Sequence, residues 1–512
     1  AVVKGTLRRL ANEGINKKSL LAGINYYEFR CREADFGGAP RGLMYGLQSL
    51  DSWLYGGDPL MHLEYAETFA FLKKAAGEGY FEDLIRKYLL DNPFEAVIVV
   101  SPKKNLTAIE EEKLRARLQA YRETLAPQEL ERMAEETRAL KEYQDTPSPK
   151  EDLEKIPLLK REDIGKDPEP ICLDVREADG TTVLAHELFT SGIGYLRVLF
   201  STDRVPSEDL PYVGLLKSVL GYVDTSRHSY QDLADEINLN SGGLSLSMPM
   251  YADFADPEKF TGLFAAEIRV LYEKLDFGFE VIGEILLDSI LDDGKRLAEI
   301  VAETKSRSQM KLNQASHSAA VGRATSYFSA GAAFSDRTGG IGFYQFLEDA
   351  AKHFEEKKAS IIAGLKRVSA LLFTAENMTV SYTAAAAGLA ALPASLELLK
   401  KRLPAGTGTR YPFVWERGNR NEGFMTSSQV NYVARCGTFA GSGFSYTGAL
   451  KTLKPILGYD YLWINVRVKG GAYGVMNGAG RSGEGYFVSY RDPNLRETNE
   501  VFGKVVSYLE QF

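Results

Sequence analysis

A glycine pair, a long helical stretch and then a short β-branched run occur in that order twice in this chain, and the repetition limits what it can fold into. Gly56-Gly57 leads to Val97-Ile98-Val99-Val100, and Gly339-Gly340 leads to Met378–Thr383. Gly57 to Gly340 and Val97 to Val380 are the same distance apart, 283 positions (340 − 57 and 380 − 97). Apolar residues at helical spacing also precede each pair; before the first they are Leu20, Leu21, Ile24 and Tyr27, then Leu43, Leu47 and Leu50. The offset reads as a diverged duplication of one α+β domain, although glycine pairs and apolar runs are each common. On that reading residues 1–101 are helices followed by a buried strand, the back end of a copy whose front sheet is missing. The start, Ala1-Val2-Val3-Lys4, carries no initiator Met and reads as part of a fragment.

Between the two copies the composition changes. From Thr107 to Tyr143 the chain is rich in Glu, Arg, Lys, Leu and Gln, with Leu114, Leu118, Tyr121 and Leu125 on one helical face. Pro127 interrupts, and Leu130, Met133 and Leu140 continue a second helix, so an αα-hairpin with its arms packed on each other is expected. Pro147, Pro149, Pro157, Pro168 and Pro170 then mark an extended linker. Beyond Ile171, Asp179-Gly180 predicts a hairpin turn. The next strand alternates, Leu196, Val198 and Phe200 on one side against Tyr195, Arg197 and Leu199 on the other. Leu244 to Met250 alternates with Ser245 and Ser247, and Phe260–Tyr272 supplies a further strand. Long helices follow at about 277–291, 295–328 and 342–372. Strands, then long helices, then a strand indicate an α+β sandwich and not a doubly wound sheet.

At 512 residues the chain has room for roughly three domains. Its net charge of −8 and the lack of a basic stripe with interleaved aromatics argue against nucleic acid as a partner. No apolar run reaches the roughly 18 residues of a membrane span, so no membrane partner is expected. The three cysteines, Cys31, Cys172 and Cys436, are far apart and odd in number. They suit a reducing compartment and read as small buried hydrophobes.

Zinc ligation on a helix needs two histidines one turn apart with a carboxylate between them. None of the five histidines meets that spacing: His186-Glu187 begins an HExxH, but residue 190 is Thr, and His62 is followed by Leu-Glu-Tyr. No metal is therefore expected on this chain. Gly478-Ala479-Gly480-Arg481-Ser482-Gly483 matches GxGxxG, yet Tyr486–Tyr490 after it reads as a strand, which favours a β-turn over a dinucleotide loop. The remaining candidate is Trp463 to Gly474. Read as a strand, it places Leu462, Ile464, Val466 and Val468 on one face and Trp463, Asn465 and Arg467 on the other. Gly470-Gly471 then turns the backbone so that Tyr473 returns near Arg467. A guanidinium beside a phenol can hold a peptide carbonyl or its developing oxyanion. On residue types alone, a surface arginine and a packed tyrosine remains the simpler description.

Arg467-Val-Lys-Gly470-Gly471-Ala-Tyr473-Gly resembles the C-terminal substrate-binding motif of the insulinase-like inverzincin metallopeptidases, specifically their presequence protease and falcilysin branch. Tyr26–Arg30 with Gly37–Leu43 resembles the late part of that family's second domain, and Thr107–Tyr143 its helical-hairpin linker. Gly192–Tyr195 and Met310–Phe328 are similar to its third domain, and Ser428–Val433 to its fourth. The resemblance implies an α+β fold of repeated insulinase-like sandwich domains, an antiparallel-rich sheet covered by long helices, joined by a helical-hairpin linker. It divides the chain into 1–104 (end of the second domain), 105–146 (hairpin), 147–170 (extended linker), 171–404 (third domain) and 405–512 (a shortened fourth domain).

The same resemblance implies a zinc-dependent oligopeptidase acting on short unstructured or targeting peptides, monomeric when full length. Its zinc, bound by HxxEH and a distal Glu, would sit on an N-terminal domain that this chain lacks and would have as its partner. Arg467 and Tyr473, turned by Gly470 and Gly471, would hold substrate, and no residue here would activate water. The compartment would be a bacterial cytoplasm or a mitochondrial or plastid matrix. A non-catalytic structural relative of the same fold, or a peptide-binding one, is the alternative.

Overall fold

The computed structural model describes residues 2–168, 170–254, 256, 258–406 and 408–512. They form two compact units, one from the residues up to Leu84 together with Cys172–Phe512, the other Ile85–Ile171.

In the larger unit, β1 (Asp174–Ala178), β2 (Thr181–Glu187), β3 (Ile193–Ser201), β4 (Leu244–Ser247), β5 (Met250–Ala252), β6 (Phe260–Leu271) and β7 (Met378–Ala384) build one mixed sheet. Its order is β1-β2-β7-β3-β6-β4, with β5 alongside β6. β2 and β7 run parallel; the other pairings are antiparallel. The β1–β2 turn is made by Asp179 and Gly180, both left-handed (φ 48 and 75), as the right-handed twist of the flanking strands demands.

The alternation read in β3 decides which way the sheet faces. Leu196, Val198 and Phe200 are buried and share one core with Phe264, Ile268 and Val380 from neighbouring strands and with Val213, Phe279, Ile282, Leu365 and Val368 from the helices. The opposite face is polar: Arg197 lies across from Glu267 and pairs with it at 3.1 Å, and Ser247 donates to the same carboxylate at 2.9 Å. An antiparallel sheet can leave one face to water in this way. The covering helices include Leu210–Val219, Leu275–Leu287, Gly294–Gln314, Ile341–Lys352, Phe354–Leu372 and Ala386–Lys400. The two longest predicted helices are each broken, at Ala315 and at His353.

The N-terminal helices join this unit. Helix Lys17–Glu33 lies on helix Tyr230–Asn240, tied by Lys18–Glu236 at 2.9 Å. Arg269 on β6 meets the buried carboxylate of Glu33 at 2.8 Å. Helix Arg41–Trp53 forms as its spacing predicts, but Leu43 and Leu47 are exposed.

Four expectations are corrected. Val97–Val100 is not a buried strand; its side chains are exposed and no described strand lies beside it. Val380, its counterpart at the 283-residue offset, is buried in β7 between β2 and β3. β-branched residues extend a chain, but a strand also requires a ladder for its N–H and C=O groups. The hairpin helices form at Leu106–Thr124 and Pro127–Asp145, with Ala126 N–H capped by Glu129 at 2.9 Å, yet they do not bury a shared face. Leu114, Leu118, Tyr121 and Leu140 stay exposed, because Leu125 and Ala126 are both extended (ψ 137 and 152) and open the link between the arms. Cys31 and Cys172 are exposed, not buried. The strand expected at Leu462–Val468 is a helix, and that difference shapes the candidate site.

Candidate functional site

The C-terminal part of the larger unit carries a second sheet: β8 (Ala434–Thr438), β9 (Gly474–Ala479) and β10 (Glu484–Tyr490), antiparallel in the order β8-β10-β9. Before β9 the chain winds into a wide helix, Ile456–Val468, with i→i+5 bonding such as Lys469 N–H to the Ile464 carbonyl at 3.0 Å. Leu457, Leu462 and Val466 turn inward and meet Val433, Ala472, Phe502 and Val505 in a small core. Ile464 and Val468, which the strand reading set beside Leu462 and Val466, are only partly buried or exposed. A short apolar run fits both periods, and here burial of every fourth or fifth residue decides for the helix.

Arg467 thus sits at the end of a helix and not on a strand face. Gly470 follows where a Cβ would lie 2.5 Å from the Val466 carbonyl oxygen. Gly471 is left-handed (φ 80), and its N–H returns to the Arg467 carbonyl at 2.8 Å. The chain reverses, and the Tyr473 N–H is shared between the carbonyls of Tyr490 (3.1 Å) and Arg491 (3.2 Å). The turn brings Arg467 and Tyr473 together: an Arg467 guanidinium N–H donates to the Tyr473 carbonyl. The guanidinium carbon lies 4.2 Å from the Trp463 ring centre and 5.2 Å from that of Tyr473. Tyr473 is 62% exposed, and among the described residues its hydroxyl has no hydrogen-bond partner and Arg467 has no carboxylate partner.

Three neighbours escaped the sequence reading. Arg491 lies with its guanidinium carbon 5.9 Å from the Tyr473 ring centre. Tyr490 stands edge-on to Tyr473 at 5.9 Å, and His317 edge-on to Tyr490 at 5.0 Å. The Tyr490-Arg491-Asp492-Pro493 run after a predicted strand was the available signal, since Asp-Pro commonly marks a turn.

The other motifs fall elsewhere. Gly478–Gly483 is the β9–β10 turn, at the far end of the hairpin from Tyr473. A cleft of about 770 Å³ opens there, lined by Phe254, Tyr327, Phe444, Tyr446, Arg417 and Arg481. His186 lies on β2 with Nδ1 2.8 Å from the Cys172 carbonyl. Burial pushes the Cys436 thiol on β8 up, away from a reactive thiolate. Among the described residues no three His, Cys, Asp or Glu side chains are grouped so as to hold a metal ion. No helix is long and apolar enough to cross a membrane.

Comparison with known proteins follows the same division of the chain. A family model for the domain associated with the M16 peptidases of subfamily C matches residues 100–349, and one described as PreP C-terminal domain matches 421–512. "Protein HypA" of Clostridium perfringens is 36% identical over 511 residues, covering 100% of this chain and 52% of that protein. "Presequence protease 1, chloroplastic/mitochondrial" of Arabidopsis thaliana is 29% identical over 520 residues, covering 99% of this chain and 48% of that protein. The chain spans about half the length of the curated relatives it matches. Among solved structures, a conserved protein from Enterococcus faecalis superposes with a TM-score of 0.45 at 14% identity, covering 66% of this chain and 79% of that one.

Proposed function

Since this chain belongs to the insulinase-like M16 peptidases and matches the C-terminal portion of their presequence-protease branch, we propose that it forms the substrate-holding part of a zinc-dependent oligopeptidase for short, unstructured or targeting peptides. The observation that carries this reading is the Gly470-Gly471 reversal, which sets an unpaired guanidinium and an exposed phenol side by side. Zinc does not fit the described residues, which offer no ligand group; the metal would be bound elsewhere in the full-length protein. The part of this chain is binding and orientation.

Arg467 uses one N–H on the Tyr473 carbonyl and keeps the rest of its five donors free. Stacked on Trp463, the guanidinium is held in one orientation and spends no acid partner on neutralisation. It can therefore donate to a peptide carbonyl and, more strongly, to the oxyanion that develops when that carbonyl is attacked. The Tyr473 hydroxyl is a second donor on the same edge. Neither group takes a proton from water, so the pair orients substrate without being able to cleave it.

The test is the double substitution Arg467→Ala, Tyr473→Phe in the full-length polypeptide. Loss of one preorganised donor to an oxyanion costs about 10²–10³ in turnover, and a fall of at least that size is expected with bound zinc unchanged by metal analysis. Wild-type turnover in the double variant would remove the assignment.

A further inference from the structure

We propose that Arg491 forms, with Arg467, a two-arginine clamp around the Tyr473 ring that recognises a carboxylate on the bound peptide. The proposal rests on the reading of Arg467 and Tyr473 as substrate-holding residues and adds a specificity determinant to it.

Two guanidiniums lie against one phenol ring, Arg467 at 5.2 Å and Arg491 at 5.9 Å from its centre. In a chain of net charge −8, acids to neutralise them would be easy to supply, yet among the described residues neither arginine has one. The acid adjacent in sequence is otherwise engaged. Asp492 is fully buried, with one carboxylate oxygen accepting the Asn494 N–H at 2.8 Å and the other the Thr498 hydroxyl at 2.7 Å. Two neighbouring cations left unneutralised repel each other, and an anion arriving between them removes that repulsion.

The backbone singles out Arg491 further. It is left-handed, φ 49, a conformation that residues other than Gly, Asn and Asp seldom adopt. What holds it there is the paired bridge on the next residue, Asn431 N–H to the Asp492 carbonyl at 2.7 Å and Asp492 N–H to the Asn431 carbonyl at 2.9 Å. On its other side the Arg491 carbonyl accepts from Tyr473 N–H. The unfavoured turn is thus over-determined by its surroundings, and it presents the side chain beside Tyr473. A planar guanidinium matches a carboxylate with two parallel N–H···O bonds, which makes a peptide carboxylate the fitting partner. The carboxylate can come from an acidic side chain or from a free C-terminus.

The experiment measures binding, with chelator present so that peptide is not consumed, by fluorescence anisotropy on the full-length polypeptide. The probes are one labelled short peptide in four forms, with Glu or Gln at one internal position and a free acid or an amide at the C-terminus. Wild type should prefer one or both carboxylate forms by about tenfold, the size of a charge-assisted hydrogen bond. Arg491→Asn removes the charge while accepting the left-handed backbone, so folding is spared. It should abolish the preference and leave affinity for the Gln-amide peptide within about twofold. Arg491→Lys should restore part of it. Absence of any preference in wild type, or its survival in Arg491→Asn, overturns the clamp. Arg467→Ala should weaken all four peptides; if it weakens none, the substrate-holding reading fails, whatever Arg491→Asn does.

Discussion

The seven-stranded sandwich and the three-stranded C-terminal sheet are built by the same rules, but they differ in how much core stands behind each surface. In the sandwich, strands and several long helices share one continuous core. In the smaller sheet the core has seven buried members, three of them (Leu457, Leu462 and Val466) on one helix, and that helix presents Arg467 one residue past Val466. Stability and substrate contact are therefore separable in the sandwich and joined in the small sheet.

Leu462→Ala tests that coupling most strongly. Leu462 is fully buried, and large-to-small core changes of this kind cost about 2–5 kcal/mol. Hydrogen exchange should show faster exchange across 431–509 with the sandwich protected, and peptide binding should weaken. Leu215→Ala, equally buried in the sandwich, should cost a comparable amount and leave peptide binding intact. If both variants impair binding alike, the two regions are one cooperative body and the comparison breaks.

Gly470→Ala comes next. Its Cβ would stand 2.5 Å from the Val466 carbonyl oxygen, a backbone atom that cannot swing away. Overpacking of this sort costs about 1–3 kcal/mol, and relief by unwinding the helix end would carry Arg467 away from Tyr473. The expected result is loss of peptide binding larger than the loss of melting temperature would account for; a normal affinity would show that the reversal is not what assembles the pair.

The same contrast explains what could be read in advance. In β3 and β6 every second residue is buried, so alternation in the sequence was enough to place Leu196, Val198 and Phe200 inward and Arg197 outward. At Leu462–Val468 the apolar residues also alternate, but only two of the four are buried, and the positions that decide between strand and helix (Leu457, Phe502, Val505) lie outside the run. The glycine pair still indicated the reversal, which is why Arg467 and Tyr473 meet even though the element before them was misread. Arg491 was not legible, because its place depends on the Asn431–Asp492 bridge across distant sequence. Val97–Val100 failed for a related reason: β-branched side chains indicate an extended chain, but only neighbouring strands make it part of a sheet.

A smaller effect is expected inside the sandwich. Tyr382 is completely buried on β7 and its hydroxyl has no hydrogen-bond partner, so burial drives its ionisation well above the usual phenol range. Tyr382→Phe removes an unsatisfied polar atom and should stabilise the chain by about 1 kcal/mol, read as a higher melting temperature with peptide binding unchanged. A lower melting temperature would mean that the hydroxyl finds a partner in solution.

The smallest effect concerns the coil that joins the two regions. Glu422, ahead of β8, accepts two N–H groups of Arg323 at 2.9 and 3.1 Å, and Arg323 also reaches Asp336 on a sandwich helix at 2.7 Å. Arg323 therefore holds the Glu422 carboxyl below its ordinary value of 4.5. A folded-state value below the unfolded one means that the contact contributes its full stability above about pH 4.5 and loses it as pH falls through the folded value. Because Glu422 is partly exposed, solvent screens the pair and the contribution is small. Acidification should raise hydrogen exchange in the coil and in β8 before it reaches β3 or β6, and Glu422→Gln should remove the coil's share of that pH dependence. Loosening of both sheets at the same pH, unaltered by Glu422→Gln, would place the acid-sensitive contact elsewhere and leave the coil as a passive connection.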